Sequence, residues 1–574
     1  MSSLLHRPPF LNYAFIIGLL ISLIMQGQGG IVFAVDTTIQ VVPDQSFYRP
    51  GEVVRLDVKI TNGARIEAQV LYLNTPLTTL TAVPANGHAE LTWMPPAEAP
   101  RGYGLIVNVL DEGGRVLATQ TSAFDVLKHW MDAPRYGFFS DFTPARDNDA
   151  ATTDWLLRHH INGLQFYDWQ YRWEDLLPDS DIFHDGLGRP QSMATVRHLI
   201  DLVHKLNVAA MPYTAIYGAS WAYANQHPAW QLYSASKQPF EFGDHLIGIM
   251  DATPGSPWNQ HLMGEFADVL DNTAFDGIHV DQYGSPKRGF DVNGNPVDYA
   301  KVMPLFADQT AALVDQKRGD EGVALFNCVG NWPIEAIAPS QVDAAYIEVW
   351  PPYNDYLDLN RIITNAQKIG GNKPVILAAY ISPARHINWQ LSNAVIYASG
   401  GYHIETGEPG SMLADPYFPK FGQISEDQQA VFGRYYDFLV RYENVLSIKT
   451  MAGTAERRGQ VDLGTLRTTG LYAKDHVVPI IRTGADFETI SLINFVGIDV
   501  SHWNGETSVP PTPQTDIRVT LPVSRAVKQV WVASPDDPAT MNATALPFSV
   551  DDGTLKFTLP TLAYWNMIVV EYTS

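Results

Sequence analysis

Two stretches, Phe275-Asp-Gly-Ile-His-Val-Asp-Gln-Tyr-Gly284 and Ala344-Ala-Tyr-Ile-Glu-Val-Trp350, decide the fold. Each is a short apolar run that closes on a carboxylate, Asp281 in the first and Glu348 in the second. Short apolar runs bounded by polar or turn residues predict strands covered on both faces, as in a parallel sheet. The 67-residue spacing of the two acids leaves room for two strand-plus-helix units.

Six further runs share that texture: 136–141, 163–169, 208–213, 323–328, 374–380 and 401–405. Helix-period segments separate many of them, for example 153–160, 193–206, 258–270, 299–317 and 359–369. Eight strands with helical crossovers predict a (β/α)8 TIM barrel over residues 133–448. Before it, residues 36–128 alternate apolar and polar positions between turn signals at Arg49-Pro50-Gly51, Asn62-Gly63, Asn86-Gly87 and Glu112-Gly113-Gly114. That pattern predicts an N-terminal immunoglobulin-like β-sandwich, a module that binds carbohydrate or only packs on an enzyme core. After about residue 450 helical periodicity fades, and 477–481, 489–495, 518–521, 528–533 and 566–571 read as strands of a C-terminal β-sandwich spanning 449–574. The Pro-rich Val509-Pro-Pro-Thr-Pro513 reads as a loop within it.

At the N-terminus, His6 and Arg7 precede an apolar run over 14–25, shorter than the roughly 20 residues a membrane-spanning helix needs. Val32-Phe33-Ala34 suits cleavage, so 1–34 is expected to be a signal peptide, giving a secreted protein with no stable membrane association; a retained anchor is the competing reading. No cysteine follows the run, which excludes a lipoprotein anchor. Cys328 is the only cysteine, so no intramolecular disulfide forms, and its apolar run makes it a buried small hydrophobe. The net charge of −23 repels phosphate backbones, so nucleic acid is not an expected partner. A neutral glucan is indifferent to that charge. The 14 Trp and 26 Tyr offer flat faces for sugar rings, although a large core also consumes aromatics.

Functional residues of a parallel barrel lie at the C-terminal ends of its strands. Asp281 and Glu348 both do, and cleaving a glycosidic bond takes one ionised and one protonated carboxyl. Each acid alone could equally cap a helix or pair with Arg; two at apolar strand ends beside aromatics point to chemistry. Polar sequence neighbours (His279, Gln282, Tyr283) suit Asp281 to be the nucleophile. Apolar neighbours (Ile347, Val349, Trp350) suit Glu348 to be the acid/base. Candidate sugar contacts are Asp141, Asp168, Trp169, Tyr213, Tyr217, Trp221, His279, Gln282, Trp350, Asp355, His403 and Glu405, each with a packing or solvated role as the alternative. No cofactor or metal is expected. Asp291-Val-Asn-Gly-Asn imitates the start of a calcium loop, but Pro296 stands where glycine is needed and Val302 where the bidentate Glu belongs. There is no Gly-x-Ser-x-Gly elbow, His-Glu-x-x-His or P-loop.

At Gly137-Phe-Phe-Ser-Asp-Phe, Gln165-Phe-Tyr-Asp-Trp-Gln-Tyr-Arg, Asp276-Gly-Ile-His-Val-Asp-Gln-Tyr-Gly, Tyr346-Ile-Glu-Val-Trp-Pro and Leu413-Ala-Asp-Pro-Tyr-Phe-Pro, the chain resembles glycoside hydrolase family 66, the dextranases and cycloisomaltooligosaccharide glucanotransferases. The resemblance implies an α-1,6-glucan substrate (dextran and isomaltooligosaccharides) and a retaining double displacement, with Asp281 matching the nucleophile and Glu348 the acid/base. The cyclising transferases are expected to carry a binding module inserted in the barrel region. The ordinary spacing from Trp350 to Pro374 to Gly401 leaves no room for one, which favours an endo-dextranase. Trp173 stands where the family is expected to have His.

Overall fold

Eight parallel strands form the central sheet: β1 Tyr136–Phe139, β2 Gly163–Phe166, β3 Ala209–Ala215, β4 Gly277–Asp281, β5 Val323–Val329, β6 Ala344–Glu348, β7 Val375–Ala378 and β8 Tyr402–His403. They are hydrogen-bonded in chain order from β1 to β8. At the seam, Phe138 N–H donates to Thr406 O at 3.1 Å, so the sheet is a nearly closed barrel. Only bare backbone fits there: a Cβ on Gly137 would collide with Thr406 O, and one on Gly407 with the Phe138 backbone. This computed structural model describes residues 37–573, so the expected signal peptide lies outside the described residues. Among the described residues, no helix is long and apolar enough to cross a membrane.

Each strand is followed by a helix. In order these are Asp149–Arg158, Met193–His204, Pro257–Asn272, Tyr299–Arg318, the single turn Ile334–Ile337, Tyr356–Ile369, His386–Ala398 and Glu426–Leu446. Local chemistry starts several of them: the Ser192 hydroxyl accepts from Thr195 N–H at 3.1 Å, and Ser425 with Gln428 makes a capping box. His386–Ala398 escapes the periodicity argument because eleven of its thirteen residues are buried. It lies between the barrel and the C-terminal strands, so it has no polar stripe.

Inside the barrel, alternate strand residues fill the axis. Tyr136, His279 and Tyr346 pack as a layer, with the His279 ring 5.8 Å from Tyr136 and 4.6 Å from Tyr346. Tyr136 Oη lies 3.0 Å from His279 Nδ1. Burial pushes His279 down to about 3, so this ring is neutral filler.

Residues 39–126 build two antiparallel sheets. One holds Ile39–Pro43, Val54–Ile60 and His88–Trp93; the other holds Arg65–Tyr72, Thr75–Ala82, Arg101–Leu110 and Val116–Val126. A shared core of Val54, Leu56, Ile66, Val70, Leu105 and Val107 lies between them. Past the barrel, a six-stranded and a three-stranded sheet enclose Val477, Ile490, Leu492, Val519, Leu555 and Ile568. The other face of the six-stranded sheet (Val478, Ile493, Trp565, Met567) joins the core of the barrel region.

Thr37–Ser574 form one compact unit. The junction turns on Arg135, buried at 2 % exposure just before β1. Its guanidinium donates to Asp125 Oδ2 at 2.7 Å, to His160 O at 2.6 Å, to Ala133 O at 3.0 Å and to Ser46 O at 3.2 Å. Glu443, from the last barrel helix, stands 3.7 Å away. Burial and the Asp125 charge push Glu443 far above the usual carboxylate range, so it stays neutral beside the Arg135–Asp125 pair. Arg135→Ala leaves the Asp125 charge buried without its partner and is expected to cost about 3–5 kcal/mol. Denaturant unfolding checks this; a loss under about 1 kcal/mol would mean that apolar packing alone holds the junction.

Candidate active site

At the C-terminal mouth of the barrel, five side chains from consecutive positions form one hydrogen-bonded arc. Tyr213 on β3 donates its hydroxyl to Asp281 Oδ2 at 2.6 Å. Asn327 on β5 donates from a single amide nitrogen to Asp281 Oδ1 at 2.6 Å and to Glu348 Oε2 at 3.0 Å. Tyr380, just past β7, donates to Glu348 Oε1 at 2.9 Å. Three donor side chains thus serve all four carboxylate oxygens. The two oxygens that share Asn327 lie no farther apart than the sum of its two bonds, 5.6 Å.

The barrel explains this arc. In each of β4, β5 and β6 an inward residue deep in the barrel (His279, Leu325, Tyr346) is followed two positions later by a polar one at the mouth (Asp281, Asn327, Glu348). Burial and the Glu348 charge push the Asp281 carboxyl up to about 7, against the hydrogen bonds of Tyr213 and Asn327. Burial also raises Glu348, opposed by hydrogen bonds from Asn327, Tyr380 and Trp350. Two buried carboxyls this close resist double ionisation, so the pair presents one carboxylate and one carboxylic acid to the same cleft.

Asp168 follows β2 with φ 55, a left-handed conformation that a short polar side chain tolerates. Its carboxylate pairs with Arg189 at 3.0 Å, and Arg189 also reaches Asp185 and donates to Tyr417 Oη at 3.0 Å. Burial lifts Asp168 to about 6 despite Arg189. The ring of its neighbour Tyr167 packs 4.9 Å from that of Tyr213, which places Asp168 beside the same mouth. Aromatic rings complete the rim. Tyr167 stacks on Phe418 at 4.3 Å, and Trp350, 37 % exposed, stands 5.9 Å from Tyr380. Phe242, 49 % exposed, lies flat on Tyr283 at 4.8 Å.

Of the residues singled out in the sequence, Asp281, Glu348, Tyr213, Asp168 and Trp350 come together at this mouth. Tyr213 is there as the hydrogen-bond partner of Asp281 rather than as a free ring. The placement of the others differs from expectation. Trp169 is fully buried, with its ring against Phe275 and its indole N–H on Tyr213 O. Tyr217 is fully buried and accepts from Tyr283 N–H at 2.7 Å. Gln282, 1 % exposed, ties the loop after β4 to Trp332 O and Gly284 N–H. His279 is the barrel filler described above. His403 and Glu405 point outward to helix His386–Ala398, where Glu405 accepts from Trp389, Asn393 and Tyr397. Asp355 caps helix Tyr356–Ile369 through Leu357 N–H at 2.8 Å. Asp141 is exposed and folds back on Thr143, and Trp221 stacks on His245. Asp291 accepts from Asn293 and Asn295 in a hairpin turn.

Asn327 and Tyr380 escaped the sequence reading, although Asn327 interrupts an apolar run and Tyr380 closes one. A neutral side chain at a strand end simply stands out less than a charged one. The apolar sequence neighbours of Glu348 do not set its environment either. Ile347 and Val349 project to the opposite face of the strand, while its partners come from β5 and from beyond β7.

A family model described as Glycosyl hydrolase family 66 matches residues 43–569, and the chain belongs to that family. It is a glycoside hydrolase. Among its relatives, a cycloisomaltooligosaccharide glucanotransferase of Niallia circulans is 23 % identical, with 95 % of this chain and 72 % of the relative covered. A dextranase of Streptococcus salivarius is also 23 % identical, with 82 % of this chain and 67 % of the relative covered. The crystal structure of a Paenibacillus sp. cycloisomaltooligosaccharide glucanotransferase complexed with cycloisomaltoheptaose superposes with a TM-score of 0.84 at 21 % identity. That match covers 92 % of this chain and 99 % of the other, and it establishes the fold.

The raised Asp281 carboxyl carries a stability consequence. The folded Asp281–Glu348 pair keeps one shared proton up to about pH 7, whereas the unfolded chain releases it near about pH 4. The stabilisation is therefore complete below about pH 4 and is lost as pH rises through about 7. Asp281→Asn removes this slope. In scanning calorimetry, the gain in thermal midpoint over the wild type should be larger at pH 8 than at pH 4. An equal gain at both pH values would show that the pair holds no such proton.

Proposed function

We propose that this family 66 enzyme is an exported endo-dextranase that cleaves α-1,6-glucosidic bonds by a retaining double displacement. The observation that carries the mechanism is the shared amide of Asn327, which holds oxygens of Asp281 and Glu348 within 5.6 Å. Retaining pairs stand about 5–5.5 Å apart, and inverting pairs, which must admit a water, about 6.5–9.5 Å. The role of each acid rests on its match to the family motif, Asp281 as nucleophile and Glu348 as acid/base.

The electrostatics suit both half-reactions. While Asp281 is ionised, its charge helps to keep the Glu348 proton in place for the departing glycosidic oxygen. Attack on the anomeric carbon turns Asp281 into a neutral ester and removes that repulsion. Glu348, now ionised, is left with a lower proton affinity suited to taking a proton from the incoming water. Tyr213 and Asn327 hold the carboxylate oxygens of Asp281, and the rim aromatics offer stacking faces for glucose rings. Export follows from the N-terminal sequence alone.

A second reading, a cyclising glucanotransferase, is supported by the names of the Niallia circulans relative and of the Paenibacillus structure. Hydrolysis is supported by the connections from β6 to β7 and from β7 to β8, each a single helix with no inserted module. Product analysis on dextran separates the two: linear isomaltooligosaccharides for the hydrolase, cyclic ones for the transferase.

Asp281→Asn and Glu348→Gln should each lower reducing-sugar release from dextran by about 10⁴-fold or more. Full activity in either variant would remove that residue from the chemistry. Asn327→Ala deletes a donor that lowers both carboxyls, so both limbs of the pH–rate profile should move to higher pH, with kcat falling about 10²-fold. Unmoved limbs would show that the amide does not couple the pair.

A further inference from the structure

The eight residues from Glu348 to Asp355 run from the acid to the start of the next helix, and their far end is held by a segment of the C-terminal β region. Trp350 stands beside Tyr380, the partner of Glu348. Tyr353 N–H donates to Trp350 O at 3.1 Å, and its hydroxyl accepts from Asn331 at 3.3 Å, so Tyr353 links the loops after β5 and β6. Residues 501–507 dock on this stretch from outside the barrel. Trp503, 3 % exposed, donates its indole N–H to Tyr353 O at 2.8 Å and its backbone N–H to Asn354 O at 3.0 Å. Asn504 donates to Asn354 Oδ1 at 2.9 Å, and His502 bridges to Asp355. The segment is itself pinned to helix His386–Ala398 and its start. Asn388 donates to His502 O and Trp503 O, Thr507 N–H donates to Asn388 Oδ1 at 3.1 Å, and Arg385 donates to Asn504 O at 2.7 Å.

This density of specific bonds exceeds what packing a flanking domain requires. The contacts converge on two backbone carbonyls, Tyr353 and Asn354, in a loop that has no regular structure of its own. A loop presenting an exposed tryptophan to a ligand binds well only if its backbone is already fixed, because ordering it on binding costs free energy. We propose that residues 501–507 act as a positioning element of the active site, with Trp503 fixing the 350–355 loop so that Trp350 and Tyr353 form a ready-made wall for the glucan chain. Trp503 touches neither the acids nor the cleft and acts only through that loop. The inference rests on the glucan-cleaving reading above.

The test uses the full chain with Trp503→Phe, which keeps a buried ring and deletes the bond to Tyr353 O. Asn504→Ala removes the bond to Asn354 at a half-exposed position and decides the matter if the first variant folds poorly. Steady-state kinetics on dextran should show KM rising about tenfold with kcat within about twofold of wild type, the signature of lost binding that is common to ground and transition states. Constants equal to wild type per folded molecule, even with a lowered thermal midpoint, would reduce the segment to a structural brace and overturn the inference. A fall in kcat with KM unchanged would overturn it too, since the wall is what the loop is inferred to present. A wild-type enzyme that releases no sugar from dextran would instead remove the functional reading on which the inference stands.

Discussion

Two carboxyl groups sharing one amide in a nearly closed barrel is the constraint to which the rest of the site answers. With the two oxygens at most 5.6 Å apart and an effective dielectric constant of about 20, two full negative charges would repel by at least about 3 kcal/mol, on top of the loss of solvent. A hydrogen bond to a charged group returns about 1.5–3 kcal/mol, and if both acids ionise the three donor side chains must be divided between two charges that have each lost their solvent. The pair therefore keeps a proton, and the arc Tyr213–Asp281–Asn327–Glu348–Tyr380 is what a parallel barrel offers to meet the demand. Tyr213 lies in register with His279, one pleat below Asp281, and Asn327 with Tyr346, one pleat below Glu348, so the donors reach the acids from neighbouring strands. The neutral layer of Tyr136, His279 and Tyr346 closes the barrel below. It adds no charge, and its bulk keeps water out.

The strands were legible because burial on both faces writes itself as short apolar runs, and all eight predicted runs overlap an observed barrel strand. The two acids were legible because a charge at the end of such a run has no packing reason to be there. What the sequence does not carry is the side of the strand on which a residue falls once regular pairing ends. Trp169 and Glu405 sit at strand ends as Asp281 does, yet Trp169 packs against the back of β3 and Glu405 reaches outward to a helix. Asp355 looks like a loop acid until the helix start at Tyr356 makes it a cap. The same limit affects inferences drawn from sequence neighbours. Residues next to Glu348 in the chain face away from it, while its partners Asn327 and Tyr380 lie 21 and 32 positions away. The flanks of an acid in the chain therefore do not report its environment in the fold.

The flanking β regions are integrated with the barrel at polar points rather than merely resting on it. On the N-terminal side, all the guanidinium nitrogens of Arg135 are spent on Asp125 and on backbone carbonyls from both regions. A buried ion pair of this kind contributes little net stability compared with an apolar contact, but it tolerates no other geometry, so it sets the angle of the junction. On the C-terminal side, helix His386–Ala398 is covered by the barrel and by the six-stranded sheet alike, which removes any choice about how that sheet docks. The family match over residues 43–569 spans both regions together with the barrel, as expected if neither can be removed without disturbing the other contacts.

If the proposed chemistry holds, the arc of donors serves hydrolysis and transfer equally, because both begin with the same ester on Asp281. The difference must then lie in what reaches that ester next. Water needs no wall, whereas a sugar hydroxyl must be held in line by groups that grip the acceptor chain. The groups available for this are the rim residues on loops, among them Trp350 and Tyr353 after β6, and Phe242 on Tyr283. A carboxylate pair varies little between enzymes that share a mechanism, since the donors around it are dictated by charge. The rim is free of that restriction. Substitutions along it can change the partition between water and sugar without touching the pair, and one barrel can thereby support both a dextranase and a glucanotransferase within a single family.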